Sequence, residues 1–262
     1  MKSFLKAWAL QNRVIGALLI RDMQQRWGRR NLGFAWVFAE PLVFALPVLA
    51  MWSAMRHGKA EQGMPVMAFL WSGYLPLLMF RHVSGHSLNV IRSGGGLLYH
   101  RAITPFDLII ARIGLEVIGN LAATALSFVL FYMISVVEWP HDPGLFMLGL
   151  FYMTWWSVAV ALILGPLSER SEIVAHVWAP ISYMYFPICG FFFLAAWLPV
   201  SLRNIALTVL PSLHAYEMIR GGMFGGRIQV FYDISYVSFL LAVLTLLGLW
   251  LVYDVRRHLE FD

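Results

Sequence analysis

Cysteine is almost missing from this chain. Cys189 stands alone, so no internal disulfide can form and redox compartment is unreadable. Charge is scarce as well: Asp, Glu, Lys and Arg make up 13% of the 262 residues, and lysine occurs only at positions 2, 6 and 59. None of those lysines stands in a Gly-x-x-x-x-Gly-Lys-Ser/Thr loop, which excludes a P-loop nucleotide site on this chain. Cys and His are nowhere grouped at zinc-ligand spacing. His82 and His86 are four apart and share a helix face, but no carboxylate lies near them in sequence, so they read as polar lining rather than a metal site. Low-complexity tracts and internal repeats are lacking too, and residues 1–262 read as one domain.

What fills the chain instead is apolar. Sixty per cent of the residues are hydrophobic and the mean hydropathy is +0.70, well outside the range of soluble domains. A membrane span needs about 20 mostly apolar residues, and the runs 34–55, 64–80, 113–137, 144–167, 173–200 and 234–253 qualify. The sequence therefore predicts an all-α integral membrane protein with six spans in a bundle over 34–253. The fifth run is too long, and Pro180, Pro187, Gly190 and Pro199 interrupt it. It reads as a span ending near Phe191, followed by a re-entrant or interfacial helical pair before the last span. Such broken backbone survives at membrane depth only when buried in protein or facing water.

Cations orient this layout. Fourteen of the nineteen Lys and Arg residues fall on the side of the N-terminus and five on the other, which places both termini in the cytoplasm. The net charge of +5 then reflects topology and anionic lipid rather than nucleic acid. The segment 1–31 scatters its charges, unlike a cleaved leader. Phe4, Trp8, Ile15 and Leu19 recur near helical spacing, with Lys2, Lys6, Arg13 and Arg26 off that stripe. This suits an amphipathic helix in the cytoplasmic interface, closed by Arg21, Arg26, Trp27, Arg29 and Arg30. Residues 254–262 form a short cytoplasmic tail.

Between the second and third runs, three glycines (94–96) break the incoming helix, and Leu97, Leu98, Tyr99, His100 and Arg101 can form a short turn before Thr104 and Pro105 begin the next helix. This turn reads equally as a docking knob for a soluble partner or as a plain connecting loop. Glu40, Arg81, His82, His86, Asn89, Glu116, Asn120 and His176 lie in or beside spans, where lipid exposure is costly. For Glu116 the expectation is a pairing with an arginine inside the bundle that only holds helices together.

The block Arg21-Asp22…Arg26-Trp27…Leu32-Gly33…Trp36…Pro41 resembles the opening signature of the membrane subunit of type-two ATP-binding-cassette (ABC-2) exporters. The span layout, the glycine-rich inner loop and the helical pair before the last span are similar to the same family, and within it to the KpsM-like capsule-polysaccharide permeases. Trp27 departs from the Tyr of many relatives, and Glu40 precedes the proline. The resemblance implies a homodimer enclosing a channel in the bacterial inner membrane, with two soluble ATPase chains docked beneath. It makes the 97–103 segment, including Ile103, a coupling helix, and it implies that the pair 198–222 lines or closes the outer mouth. ATP and Mg would sit on the partner, so this chain is a transport subunit, not an enzyme, and binds no cofactor itself. A periplasm-spanning co-polymerase would also engage it. The cargo would be an acidic, possibly lipid-linked polysaccharide. Aromatic faces stack on the C–H sides of sugar rings, and cations guide carboxylates or phosphates. On that reading Trp36, Glu40, Tyr74, Arg81, His82, His86, Trp155, Trp156, Tyr183 and Tyr185 line the channel; helix packing alone is the alternative for each aromatic. Three other functions stay open: export of another glycan or lipid-linked substrate such as O-antigen or teichoic acid, a membrane-embedded transferase, and an ion-coupled secondary transporter. The scattered carboxylates argue against the transferase, and interruption of one half only argues against the secondary transporter.

Overall fold

The computed structural model describes residues 2–27, 43, 46, 47, 50, 51, 64–98 and 103–259. Every regular element among them is helical: α1 (Lys2–Trp27), α2 (Val66–His86), the short α3 (Val90–Ser93) and α4 (Gly95–Leu98), α5 (Pro105–Met133), α6 (Pro143–Arg170), α7 (Glu172–Tyr185), α8 (Val200–Val209), α9 (Pro211–Phe224) and α10 (Ile234–Leu259). Four of these, α2, α5, α6 and α10, are long and apolar enough to cross a membrane. The predicted span 34–55 lies outside the described residues except at 43, 46, 47, 50 and 51, which are helical.

Local chemistry sets the helix starts. Thr104 and Asp107 form a reciprocal capping box: the Asp107 N–H donates to Thr104 Oγ1 at 3.3 Å and the Thr104 N–H to Asp107 Oδ2 at 2.8 Å. Pro105 supplies the first helical position, where no N–H is needed. As a result α5 begins eight residues ahead of the apolar run that predicts it. Asp142 caps α6 in the same way, accepting from the Leu145 N–H at 3.0 Å, with Pro143 next in line. The second span runs past its predicted end at 80 to His86 and carries Arg81, His82 and His86 within the helix.

The fifth predicted span is much shorter than its apolar run. α7 holds 14 residues, about 21 Å at 1.5 Å per residue, against a hydrocarbon core of about 30 Å. Pro187 and Gly190, whose φ of +101° belongs to glycine, turn the chain into an irregular stretch before α8.

Lipid tails are as apolar as leucine, so packing and polar pairs rather than hydrophobicity hold such helices together. α2 is the central element, buried at every position from Ala68 to Phe80. Trp71 on α2 donates to Ser127 Oγ of α5 at 2.9 Å and stacks on Phe146 of α6. Tyr152 and Trp155 of α6 bond Ser238 and Thr245 of α10 at 2.6 and 2.9 Å. Such links contribute about 0.6 kcal/mol each on average.

The two ends of the bundle differ. At one, the Asn89 N–H donates to Ser168 Oγ at 2.9 Å, Arg92 pairs with Glu172 at 2.5 Å and Arg170 pairs with Asp254. The C-termini of α2, α6 and α10 therefore meet there, beside α3 and α4. α1 joins this end along α5, burying Leu18 and Asp22. The Asp22 carboxylate lies 3.3 Å from Arg112 Nε and 2.6 Å from Arg21 Nη2, and Gln11 bonds Asp107. Trp8 of the predicted apolar stripe is 60% exposed. At the opposite end, α9 packs into α6 and the Asp142 N–H donates to Gly222 O at 2.8 Å.

Candidate functional site

The apolar run of α2 ends in a polar turn and a half, and that turn meets α5 and α7. The Arg81 guanidinium lies over the Tyr183 ring at 4.1 Å. Tyr74, seven residues earlier on the same helix face, tilts against Phe191 at 5.9 Å. His82 Nδ1 lies 3.2 Å from Asn120 Oδ1, whose amide nitrogen donates to Glu116 O at 2.8 Å. Since that oxygen only accepts, His82 carries its proton on Nδ1. His86 Nδ1 sits 3.2 Å from Glu116 Oε1 and 3.0 Å from His82 O. Arg81 and Tyr183 thus meet on the α7 side of this turn, His82 and His86 meet buried Asn120 and Glu116 on the α5 side, and Tyr74 packs inside against Phe191. Glu116 thus meets a histidine one helix away.

The other aromatics assigned to the channel lie elsewhere. Trp155 faces α10 through Thr245. Trp156 stacks on Phe80 at 5.8 Å, and Tyr185 meets the same ring at 4.9 Å while its hydroxyl bonds Ser212. These three pack helices together. Trp36 and Glu40 lie outside the described residues. Of the segment expected to be a coupling helix, Leu97 and Leu98 end α4 and Ile103 precedes α5, all half-buried; Tyr99, His100 and Arg101 lie outside the described residues. Arg21, Arg26 and Trp27 belong to the last turns of α1, and Arg29 and Arg30 are outside.

The residues that sequence reasoning passed over are Glu217 and Arg220. Arg220 is fully buried. Its guanidinium donates to Gly190 O at 2.8 Å, to Phe193 O at 2.6 Å and to Phe191 O, and lies 4.0 Å over the Phe69 ring. Glu217, one turn earlier, accepts from the backbone N–H groups of Ala195 and Phe231, both at 2.9 Å. Together they satisfy irregular backbone on both sides of the α8–α9 pair. A signal for this existed: broken backbone in an apolar run needs donors and acceptors, and the charges of 211–224 are the nearest supply.

Comparison with known proteins follows the same outline. The ABC-2 type transporter family matches residues 13–224. The chain is 33% identical over 258 residues to the capsule polysaccharide export inner-membrane protein BexB of Haemophilus influenzae, covering 98% of this chain and 97% of the relative. It is 34% identical over 261 residues to the capsule polysaccharide export inner-membrane protein CtrC of Neisseria meningitidis serogroup A, with the same coverage. The polysialic acid transport protein KpsM of Escherichia coli is 25% identical over 259 residues, 95% of each chain. With a family match over most of its length and relatives above 30% identity end to end, the chain belongs to the ABC-2 type transporter family.

Proposed function

We propose that the chain is the membrane-spanning permease subunit of an ATP-driven exporter that moves capsular polysaccharide across the bacterial inner membrane. The observation that carries this is the end-to-end likeness to relatives named for capsule polysaccharide export at the inner membrane. In this reading six spans leave both termini in the cytoplasm, and two copies enclose the channel. The end that holds α1, α3 and α4 faces the cytoplasm, which agrees with the Arg residues gathered there. A separate ATPase, one per copy, binds ATP and Mg, and its stroke enters through residues 97–103 and along α1, which the Asp22–Arg112 pair ties to α5. The pair α8 and α9 lines the outer mouth, where a periplasm-spanning co-polymerase meets the assembly.

The polar face of α2 suits the cargo. A guanidinium and two imidazoles offer hydrogen bonds and positive charge to an acidic chain, and exposed Tyr183 offers a ring face on which a sugar slides. Deletion of the gene is expected to remove the surface polysaccharide and leave it accumulating inside the cell. The purified chain alone hydrolyses no ATP, and a soluble ATPase co-purifies from the native membrane. Arg101→Glu is expected to break that association. Intact surface polysaccharide after deletion, together with lost ion flux, would sink the reading.

A further inference from the structure

At the end of the bundle away from α3 and α4, the pair α8–α9 and the start of α10 enclose a cleft of about 780 Å³, within the span of about 300–1,000 Å³ common to small-ligand sites. Asn204, Thr208, Phe231, Tyr232, Asp233 and Tyr236 are prominent in its lining. We propose that this cleft is a glycan-binding subsite, which holds a short stretch of the emerging polysaccharide. The inference rests on the transport function proposed above and adds to it the place where cargo is bound.

Its walls are fixed by bonds among the three elements that form it. The Tyr236 hydroxyl donates to Thr208 O at 2.7 Å, joining α10 to α8. The Asp233 N–H donates to His214 Nδ1 at 3.0 Å, so that nitrogen accepts, and His214 Nε2–H donates to Leu207 O at 2.8 Å. His214 is thus neutral and spans α8, α9 and α10. The Phe231 N–H is held by Glu217, and Arg203 lies 4.0 Å over the Phe231 ring. A cleft set in advance spends little on ordering when it binds.

The chemistry of the lining selects the ligand. Exposed Tyr232 supplies a ring face for the C–H side of a pyranose, beside Tyr236 and Phe231, while the exposed amide of Asn204, the Thr208 oxygen (its proton goes to Asn204 O at 2.9 Å) and the Asp233 oxygen not taken by the Tyr236 N–H match its hydroxyls. An acyl chain would leave these groups unpaired. The apolar side of α8 is separate: Val200, Leu202, Ile205 and Val209 point outward and are more than half exposed, which gives lipid its own surface.

The test uses the full chain with its ATPase in lipid nanodiscs. The probe is a set of short oligosaccharides released by mild hydrolysis from the surface polysaccharide of the cells that carry the chain. Binding is read by calorimetry for wild type, Tyr232→Ala and Asn204→Ala; both replaced side chains are exposed. Each variant is expected to bind roughly tenfold more weakly, a loss of about 1.4 kcal/mol, with ATPase co-purification unchanged. Wild-type affinity in both variants overturns the inference while leaving the transport function standing. Unchanged oligosaccharide binding with loss of a periplasmic partner protein overturns it in favour of a protein-docking surface. Surface polysaccharide that persists after deletion of the gene overturns both.

Discussion

Arg220 shows how much of the bundle end away from α3 and α4 depends on one side chain. Its guanidinium satisfies three carbonyls that no helix ladder reaches, so truncation leaves each of them buried without a donor. Arg220→Met is expected to cost about 3–5 kcal/mol, the usual price of removing one member of a buried charged network, read as a lower midpoint of thermal unfolding in detergent. Arg220→Lys rescues little, because an ammonium cannot reproduce the planar fork. The partners of Arg220 were hidden in the sequence for a physical reason: they are backbone oxygens 27–30 positions away, and no spacing rule encodes them. The Arg81, His82, His86 and Glu116 group was half legible, since intramembrane polarity flags each member but not which helix answers which. His214 adds a pH dependence. Burial pushes its imidazole below its ordinary value, against the Leu207 carbonyl and the Asp233 carboxylate, which pull the other way. The unfolded chain then takes up that proton first, so stability is whole above the unfolded value of about 6.5 and falls as pH drops through it. His214→Gln is expected to flatten that acid-side fall in the unfolding midpoint; an unchanged slope would assign it to other histidines.

At the scale of elements, the contact between α6 and α9 is set by glycine. A Cβ on Gly149 would stand 2.6 Å from Ile219 N and 2.9 Å from Ala215 O, and Gly222 faces the backbone of Phe146 equally closely. The two helix backbones touch there, as small residues allow in membranes. Gly149→Ala must push α9 outward and is expected to cost about 1–3 kcal/mol, with faster proteolysis between α7 and α10. Gly226→Ala, where a Cβ meets nothing within 4 Å, is the control that should leave both readouts unchanged. The four long helices were plain in the sequence because their apolar runs continue as helix, even through Pro76 and Pro166. The fifth was overread for the opposite reason: its run stays apolar through Pro187 and Gly190 although the helix stops at Tyr185. Hydropathy records what a residue prefers to touch, while the end of a helix depends on backbone geometry. The helical pair over 198–222 was legible because Pro199 and Pro211 punctuate it and each ends up next to a helix start.

For the whole molecule, the uncovered surface of α7 argues for a second copy. Among its residues only Ser182 is buried, while Ile173, Tyr183 and Met184 are 62–70% exposed. An apolar helix could face lipid, but this one is about 21 Å long, short of a hydrocarbon core of about 30 Å. Arg81 lies against its outer side through Tyr183, and a guanidinium facing hydrocarbon is costly. Both costs vanish if α7 and the polar face of α2 turn toward a water-filled seam between two copies. α10 makes the contrast: Phe239, Leu246 and Trp250 are 58–70% exposed on an unbroken helix of high hydropathy, which suits lipid. A cysteine pair tests this directly, because the single native thiol is buried and can be removed. In a Cys189→Ala chain, Met184→Cys is expected to form a covalent dimer with a short bismaleimide in native membranes. Leu246→Cys should remain monomeric under the same treatment. Equal cross-linking at both positions, or none at Met184→Cys, would mean that α7 meets lipid or another chain instead of its own twin.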